Sequence, residues 1–206
     1  MSNKQSLAQF YTPTDLARMA CKLLRNHGHT LEPAAGSGAL VRAARGVSHT
    51  SIIVAVEVDA EQAKLIEGTD KVVVRDFFEL STNVKFDSVV MNPPFLANRK
   101  IPESTKALPL FKEAENALGK YANLYALFLW KAYQHLKDGG EIVAIVPREV
   151  FNATGNAVLN TLLHENGTFT DVIRFNKTPF SEVSPDIVVF RWQKGNFSYE
   201  TKVEVV

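Results

Sequence analysis

Short runs of apolar and β-branched residues alternate along the chain with longer segments whose apolar residues recur at helical spacing. The runs predict strands over residues 30–32, 52–57, 72–74, 86–91, 141–146, 171–175 and 187–192. The helical spacing predicts helices over residues 14–26, 39–45, 60–66, 123–136 and 155–164. Most runs are apolar almost throughout, as in strands that are buried on both faces. The pattern therefore predicts an α/β fold with a doubly wound, mostly parallel sheet and helices on both faces.

Three segments depart from this alternation. Residues 96–120 have no clean period and contain two prolines, so they are predicted to form a long connection, which in compact domains is often functional. Residues 138–140, Asp-Gly-Gly, are predicted to end a helix and turn the chain into the next strand. Residues 198–206 alternate like one more strand and stop abruptly at Val206, which favours a truncated chain or one completed elsewhere.

The composition narrows the class of protein. A length of 206 residues suits one sizeable core, so a single domain over residues 1–206 is expected. The longest apolar stretch, residues 124–130, is too short to span a bilayer, and the first residues lack the apolar core of a signal peptide. Cys21 is the only cysteine, which excludes an internal disulfide and a thiolate metal cluster. We therefore expect a cytoplasmic protein without membrane contacts.

The formal net charge of +1 gives no support to a nucleic-acid partner. Phosphate neutralisation supplies most of the affinity of a DNA-binding domain, and such domains usually carry a clear basic surplus. The charge leaves room for a local basic patch or for help from another domain. Residues 98–100 and Lys106 offer one such cluster, either for phosphates or simply as solvated side chains.

A loop with two glycines, residues 31–40, joins a predicted strand to a predicted helix and indicates a cofactor site. Gly36 and Gly38 let the backbone approach a ligand, and the following helix begins with free N–H groups. Glu57 ends the next predicted strand, 19 positions after Gly38. A carboxylate at that place can accept both hydroxyls of a ribose. The loop therefore indicates a cofactor that contains a nucleoside.

The residues around the loop favour one cofactor. Val41 stands where a dinucleotide motif has its third glycine, and the chain has no Gly-Lys-Ser/Thr sequence of a P-loop. Glu32, just before the loop, suits a ligand with an ammonium or sulfonium group, and S-adenosylmethionine carries both. Asp76 follows the third predicted strand, where it can accept from an adenine amino group while Phe77 flanks the ring.

Asn92-Pro93-Pro94-Phe95, after the fourth predicted strand, is the most distinctive motif. The prolines fix their φ angles and display the peptide carbonyls rigidly. The side-chain oxygen of Asn92 and the carbonyl of Pro93 then offer two acceptors to an exocyclic amino group. Such a group needs them because its lone pair is delocalised into the ring. Phe95 can stack on the ring, which contributes about 1–3 kcal/mol per base.

With these motifs in this order, the chain resembles the amino-methyltransferases that carry an Asn-Pro-Pro-aromatic motif. It most closely resembles the N6-adenine DNA methyltransferases whose motif order begins with an N-terminal element, here Tyr11-Thr12-Pro13. The resemblance covers nearly the whole chain. It implies a Rossmann-like methyltransferase sheet with an antiparallel strand near the C-terminus, and S-adenosylmethionine as the cofactor.

The resemblance also implies roles for particular residues. The implied cofactor contacts are Tyr11, Thr12, Pro13, Glu32, Pro33, Ala34, Gly36, Gly38, Glu57, Asp76, Phe77 and Asn92. The implied catalytic residues are Asn92, Pro93, Pro94, Phe95 and Phe180. The target adenine would be flipped out of the DNA and held between Phe95 and Phe180. Transfer would be direct, with no metal and no covalent intermediate.

Two alternatives remain open at this point. The same chemistry acts on amino groups of RNA bases and on glutamine side-chain amides of proteins, and the near-neutral charge suits those substrates too. The chain also fits a cofactor-binding subunit without turnover in a DNA-modification complex. The family usually carries a separate target-recognition domain, and none is evident here, so DNA recognition is expected to involve another domain or subunit.

Overall fold

The computed structural model describes residues 12–26, 28–47, 52–152, 154–176, 179 and 186–206. Its strands are β1 (His29–Glu32), β2 (Ile52–Glu57), β3 (Lys71–Val74), β4 (Phe86–Met91), β5 (Leu136–Pro147), β6 (Gly167–Arg174), β7 (Ile187–Lys194) and β8 (Lys202–Val205). Its helices are α1 (Thr14–Cys21), α2 (Ala39–Val47), α3 (Ala60–Ala63), α4 (Glu103–Lys106), α5 (Pro109–Leu118), α6 (Leu124–Gln134) and α7 (Ala157–Asn166).

The strands form one sheet in the order β3-β2-β1-β4-β5-β7-β6-β8. Only β7 runs antiparallel to its neighbours, β5 and β6, and every other adjacent pair is parallel. This confirms the predicted fold class, including the antiparallel strand near the C-terminus. The chain fills one half of the sheet with β1 to β3 and then returns to the other side of β1 with β4. Ligands of doubly wound sheets bind at such a switch point, beyond the carboxyl ends of the strands.

Two hydrophobic clusters lie on opposite faces of the sheet. Successive strand residues point to opposite faces, and Val89 and Met91 belong to one cluster while Val90 belongs to the other. The cluster around Val90 takes its helical residues from α1, α2 and α3. The cluster around Val89 takes them from α5, α6 and α7. Helices therefore cover both faces, and α6 is buried over Leu124 and the next eight residues.

The prediction of an irregular connection over residues 96–120 is wrong, because α4 and α5 lie within it. Pro109 occupies the first turn of α5, where its missing N–H costs no hydrogen bond. Phe111, Ala114 and Leu118 are buried at helical spacing along α5. Only one face of this short helix is apolar, and the flanking prolines obscured its period.

The expected turn at residues 138–140 is also wrong. Helix α6 ends at Gln134, and β5 already begins at Leu136. The register between β4 and β5 shifts from Phe86 opposite Leu136 to Ser88 opposite Glu141, so the intervening residues of β5 bulge out of the pairing. The Asp-Gly-Gly segment therefore interrupts a strand, with Gly139 at φ 74°.

Other predicted boundaries move by a few residues. Helix α1 stops at Cys21 instead of continuing to Asn26, because the N–H groups of Arg25 and Asn26 donate to the Glu141 carboxylate at 2.8 Å. The predicted C-terminal strand is confirmed as β8, which pairs in parallel with β6. Cys21 is fully buried. In the described part of the chain, every helix is too short or too polar to cross a membrane.

Glu141 is the centre of a buried polar network that joins three strands of the sheet to the segment that follows α1. One carboxylate oxygen accepts from the Arg191 Nε at 2.6 Å. The other accepts from the Ser88 hydroxyl at 3.3 Å, besides the N–H groups that follow α1. The side chains of Glu141 and Arg191 are 0% and 3% exposed. The network thus fixes β4, β5 and β7 against the end of α1.

Candidate active site

A pocket of about 520 Å³ opens where β1, β2, β3 and β4 end. Because parallel strands place their carboxyl ends at one edge, residues from distant motifs meet there. The pocket brings together most of the predicted site residues: Thr12, Glu32, Pro33, Ala34, Gly36, Glu57, Asp76, Phe77, Asn92, Pro93 and Pro94. The cofactor motifs and the Asn-Pro-Pro motif therefore share one cavity.

Some of the other predicted residues lie beside this pocket. Pro13 precedes α1, and its carbonyl accepts from the Ala17 N–H at 2.9 Å. Gly38 has φ +85°, and a Cβ there would meet Ile66 at 3.2 Å, so this glycine permits close packing. Phe95 contacts the edge of Tyr125, with ring centroids 6.4 Å apart.

Tyr11 and Phe180 lie outside the described residues. The predicted roles of these two residues, in cofactor binding and base stacking, stay predictions.

The Glu57 carboxylate holds the glycine loop against the end of β2. The Gly36 N–H donates to one of its oxygens at 2.6 Å, and the Asp59 N–H donates to the other at 2.9 Å. Gly36 has φ +52°, a left-handed backbone conformation that glycine adopts without strain. A carboxylate oxygen accepts two hydrogen bonds, so each can still receive a hydroxyl. The geometry fits the two hydroxyls of a ribose.

Glu32 carries a polar atom that a bound cation would satisfy. Its side chain is fully buried, and one oxygen accepts from the Ala34 N–H at 3.1 Å. The other oxygen has no partner among the described residues. Burial raises the pKa of the Glu32 carboxyl well above its ordinary value, and the charge of Glu57 adds to the rise. A positively charged ligand group would offset this cost, so Glu32 fits the sulfonium or ammonium of S-adenosylmethionine.

Asp76 and Phe77, just after β3, line the same pocket. One Asp76 oxygen accepts from the Phe78 N–H at 2.9 Å, and the other accepts from the Thr105 hydroxyl at 2.5 Å. The Phe77 ring packs on Phe128, with centroids 5.1 Å apart. The carboxylate is therefore fixed in orientation, with room to accept from an adenine amino group.

A buried lysine stands behind this aromatic wall. The Lys131 ammonium donates to the Leu80 carbonyl at 2.8 Å and lies 4.8 Å from the centroid of the Phe77 ring. Burial lowers the pKa of Lys131 to about 7, although the charges of Asp76 and Glu113 oppose that shift. Lys131 thereby supports the Phe77 ring from the side that faces the protein core.

Sequence reasoning missed the pocket wall that adjoins Asp76 and Phe77. It comes from the segment after the Asn-Pro-Pro-Phe motif and from α6, through Leu96, Ile101, Pro102, Ser104, Thr105, Leu108, Leu124 and Phe128. The sequence held one signal for it, a proline just before α4 and another at the first position of α5, which is typical of a helix start. That signal predicts helices but not which strand end they cover.

The Asn92 side chain is oriented by the N-terminal motif. Its Nδ2 donates to the Thr12 hydroxyl at 2.9 Å. This bond directs the nitrogen end of the amide toward the entry of α1 and the oxygen end away from Thr12. An amide held in this way can accept a hydrogen bond from a substrate amino group, which the reverse orientation would repel.

The sheet order, the glycine loop and the acidic strand ends define a class I S-adenosylmethionine-dependent methyltransferase fold, and S-adenosylmethionine is its cofactor. The model of the Eco57I restriction-modification methylases matches residues 42–180, more than half of the chain. The chain belongs to this family.

Individual relatives agree with that assignment. The type II methyltransferase M.HincII of Haemophilus influenzae is 28% identical over 201 residues, which cover 94% of this chain and 38% of that protein. M.TthHB8I of Thermus thermophilus is 30% identical over 201 residues, which cover 93% of this chain and 46% of that protein. A type I restriction-modification methyltransferase subunit from Streptococcus thermophilus superposes with a TM-score of 0.72 at 21% identity, over 95% of this chain and 47% of that one. The chain thus spans less than half the length of these proteins.

Proposed function

We propose that the chain transfers a methyl group from S-adenosylmethionine to the exocyclic N6 amino group of adenine in DNA. The observation that carries this proposal is the position of Asn92 and Pro93 in the same pocket as Glu32, Glu57 and Asp76. An amino-group acceptor pair next to a nucleoside-cofactor site suits amino methylation. The family and the type II relatives support DNA as the substrate.

The residues of the chain would act by positioning and electrostatics. The Asn92 oxygen and the Pro93 carbonyl would each accept a hydrogen bond from the amino group. These two bonds would localise the lone pair on the nitrogen. The base would reach them only after leaving the helical stack. When bound, S-adenosylmethionine supplies an electrophilic methyl group on a sulfonium. Glu32, Glu57 and Asp76 would hold that cofactor at its charged end, its ribose and its adenine.

We propose further that catalysis and target recognition belong to different domains or subunits. The 206-residue chain would act as a single catalytic domain, and a separate domain or subunit would supply target recognition. The near-neutral net charge supports this division. So does the much greater length of M.HincII and M.TthHB8I.

Product analysis tests the proposal directly. The purified chain is incubated with S-adenosylmethionine and unmethylated DNA, and the digested nucleosides are quantified by mass spectrometry. We expect N6-methyladenine, formed at a rate about 100- to 1000-fold lower when Asn92→Ala replaces the unaltered chain. N4-methylcytosine alone would contradict the adenine assignment. Methylation of RNA or protein but not of DNA would show that the substrate belongs to another class. Cofactor binding without any methylated product would favour a non-catalytic subunit.

The cofactor role of Glu57 gives a separate prediction. Glu57→Gln loses the negative charge and one acceptor, and a hydrogen bond to a charged group contributes about 1.5–3 kcal/mol. The Kd for S-adenosylmethionine, measured by calorimetry, should therefore rise about 10- to 100-fold. Asp59→Asn is the matched control, because Asp59 caps α3 and asparagine preserves that role. Equal affinities of Glu57→Gln and the unaltered chain would show that Glu57 does not hold the ribose.

A further inference from the structure

A second cleft, of about 270 Å³, lies on the other half of the sheet. It is lined by Arg148, Phe151, Asn152, Val172, Arg174 and Val188, and it shares no lining residue with the first pocket. Two guanidinium groups and one amide thus surround a partly apolar floor. None of these residues belongs to the motifs of the cofactor site or the amino-group site.

The cleft opens at the same edge of the sheet as the catalytic motif. Arg148 directly follows β5, and Arg174 is the last residue of β6. Strand β5 is parallel to β4, and β6 runs in the same direction because both are antiparallel to β7. Asn92 directly follows β4, so all three residues lie at carboxyl ends. Strand β6 is three positions from β4, or about 14 Å across the sheet.

The two arginines are available to an anion. The Arg148 side chain is 49% exposed, and its pairing with Asp186 at 3.4 Å involves a carboxylate that is 71% exposed. Such open pairs contribute about 0–1 kcal/mol, so a phosphate can replace the carboxylate. Arg174 is exposed at the end of its strand, on the same face as Val172.

Buried contacts fix the Arg148 turn relative to the catalytic loop. The Asn156 Nδ2 donates to the Tyr125 hydroxyl at 2.8 Å and to the Glu149 carbonyl at 3.1 Å. The Tyr125 ring in turn contacts Phe95. The turn that carries Arg148 is therefore anchored to the helix that supports the Asn-Pro-Pro-Phe motif.

We propose that Arg148 and Arg174 bind backbone phosphates of the DNA strand beside the methylated base. This inference rests on the proposed function. A guanidinium matches a phosphate with paired N–H donors, and phosphate contacts fix the register of a protein on DNA without reading sequence. At a rise of 3.4 Å per base pair, a separation of about 14 Å corresponds to phosphates within about four base pairs of the target. A chain with a net charge of +1 depends on such local cations for its hold on DNA.

The salt dependence of DNA binding tests this site. Fluorescence anisotropy with a short labelled duplex gives Kd at several NaCl concentrations. Each phosphate contact contributes about 0.9 to the slope of log K against log salt. Arg148→Gln and Arg174→Gln should each reduce the slope by about 1, and the double variant by about 2. Arg174→Lys keeps the charge and should keep the slope.

Lys71→Gln is the matched control for lost charge. Lys71 is exposed and is the first residue of β3, the outermost strand on the side of the sheet away from β6. Its replacement should therefore leave the slope unchanged. The Kd for S-adenosylmethionine should be the same in all variants, which shows that the fold is intact.

The outcomes separate the inference from the function on which it rests. If the unaltered chain binds and methylates DNA but the slopes of both arginine variants equal that of Lys71→Gln, the phosphate site is wrong and the proposed function stands. If the unaltered chain binds DNA without methylating it, a reduced slope still supports the site while the proposed function fails. If it does not bind DNA at any salt concentration, both proposals are overturned.

Discussion

Replacing Asn92 with alanine is expected to reduce the rate of methyl transfer about 100- to 1000-fold, the usual effect of removing one group that stabilises developing charge. Alanine removes the side-chain acceptor but leaves the Pro93 carbonyl, so the amino group keeps one of its two partners. The proposed cofactor contacts at Glu32, Glu57 and Asp76 are untouched. The loss should therefore appear in the rate of the chemical step, while the Kd for S-adenosylmethionine changes less than tenfold.

Single-turnover kinetics with labelled cofactor measure this effect without interference from product release. The matched control is Asn83→Ala, which makes the same change at an exposed residue before β4, at the opposite end of that strand. The control should retain the rate of the unaltered chain. A rate for Asn92→Ala within tenfold of that value would contradict the acceptor role and shift attention to the backbone of the motif.

The largest expected effect on stability comes from Arg191→Met. Arg191 is the cationic partner of the fully buried Glu141 carboxylate, and its Nη1 also donates to the Thr170 hydroxyl at 2.7 Å. Methionine fills a similar volume but leaves the carboxylate without its countercharge. Removing one member of a buried ion pair costs about 3–5 kcal/mol. The free energy of unfolding, measured with urea, should fall by that amount.

An exposed pair provides the comparison. The Lys64 ammonium, just after α3, lies 2.7 Å from the Glu61 carboxylate, and the two side chains are 67% and 78% exposed. Lys64→Met should lower the free energy of unfolding by no more than about 0.5 kcal/mol, because water already solvates both charges. Adding Glu141→Gln to Arg191→Met should recover part of the loss, since a neutral amide is cheaper to bury than an unpaired carboxylate. A loss below about 1 kcal/mol for Arg191→Met would show that the carboxylate finds other compensation.

Local patterns in the sequence were sufficient for the fold class and for most of the strands whose ends line the pocket. The strands over Ile52–Glu57 and Phe86–Met91 were predicted with their exact bounds, since continuous apolar runs leave little ambiguity. The position of Glu57 at a strand end followed from the same runs. Because parallel strands place their carboxyl ends at one edge, predicting the strands also predicted that these motifs would meet.

Other features depended on contacts between residues far apart in the chain. Helix α1 ends early because the N–H groups of Arg25 and Asn26, just beyond it, bind Glu141, more than a hundred residues away. The Thr105 hydroxyl reaches Asp76 only because α4 folds back over the end of β3. The direction of the Phe95 ring depends on Tyr125 in α6.

By itself, the sequence determined the fold class, the order of the motifs and the chemical groups available to a cofactor and an amino group. These follow from periodicity and residue type, which are local properties. Only the tertiary structure decided which helices form the pocket wall beside Asp76 and how Thr12 orients the Asn92 amide. It also decided that Arg148 and Arg174 line one cleft. Each of these depends on strand order and helix packing, because side chains distant in sequence become neighbours only when the strands pair and the helices pack on the two faces of the sheet.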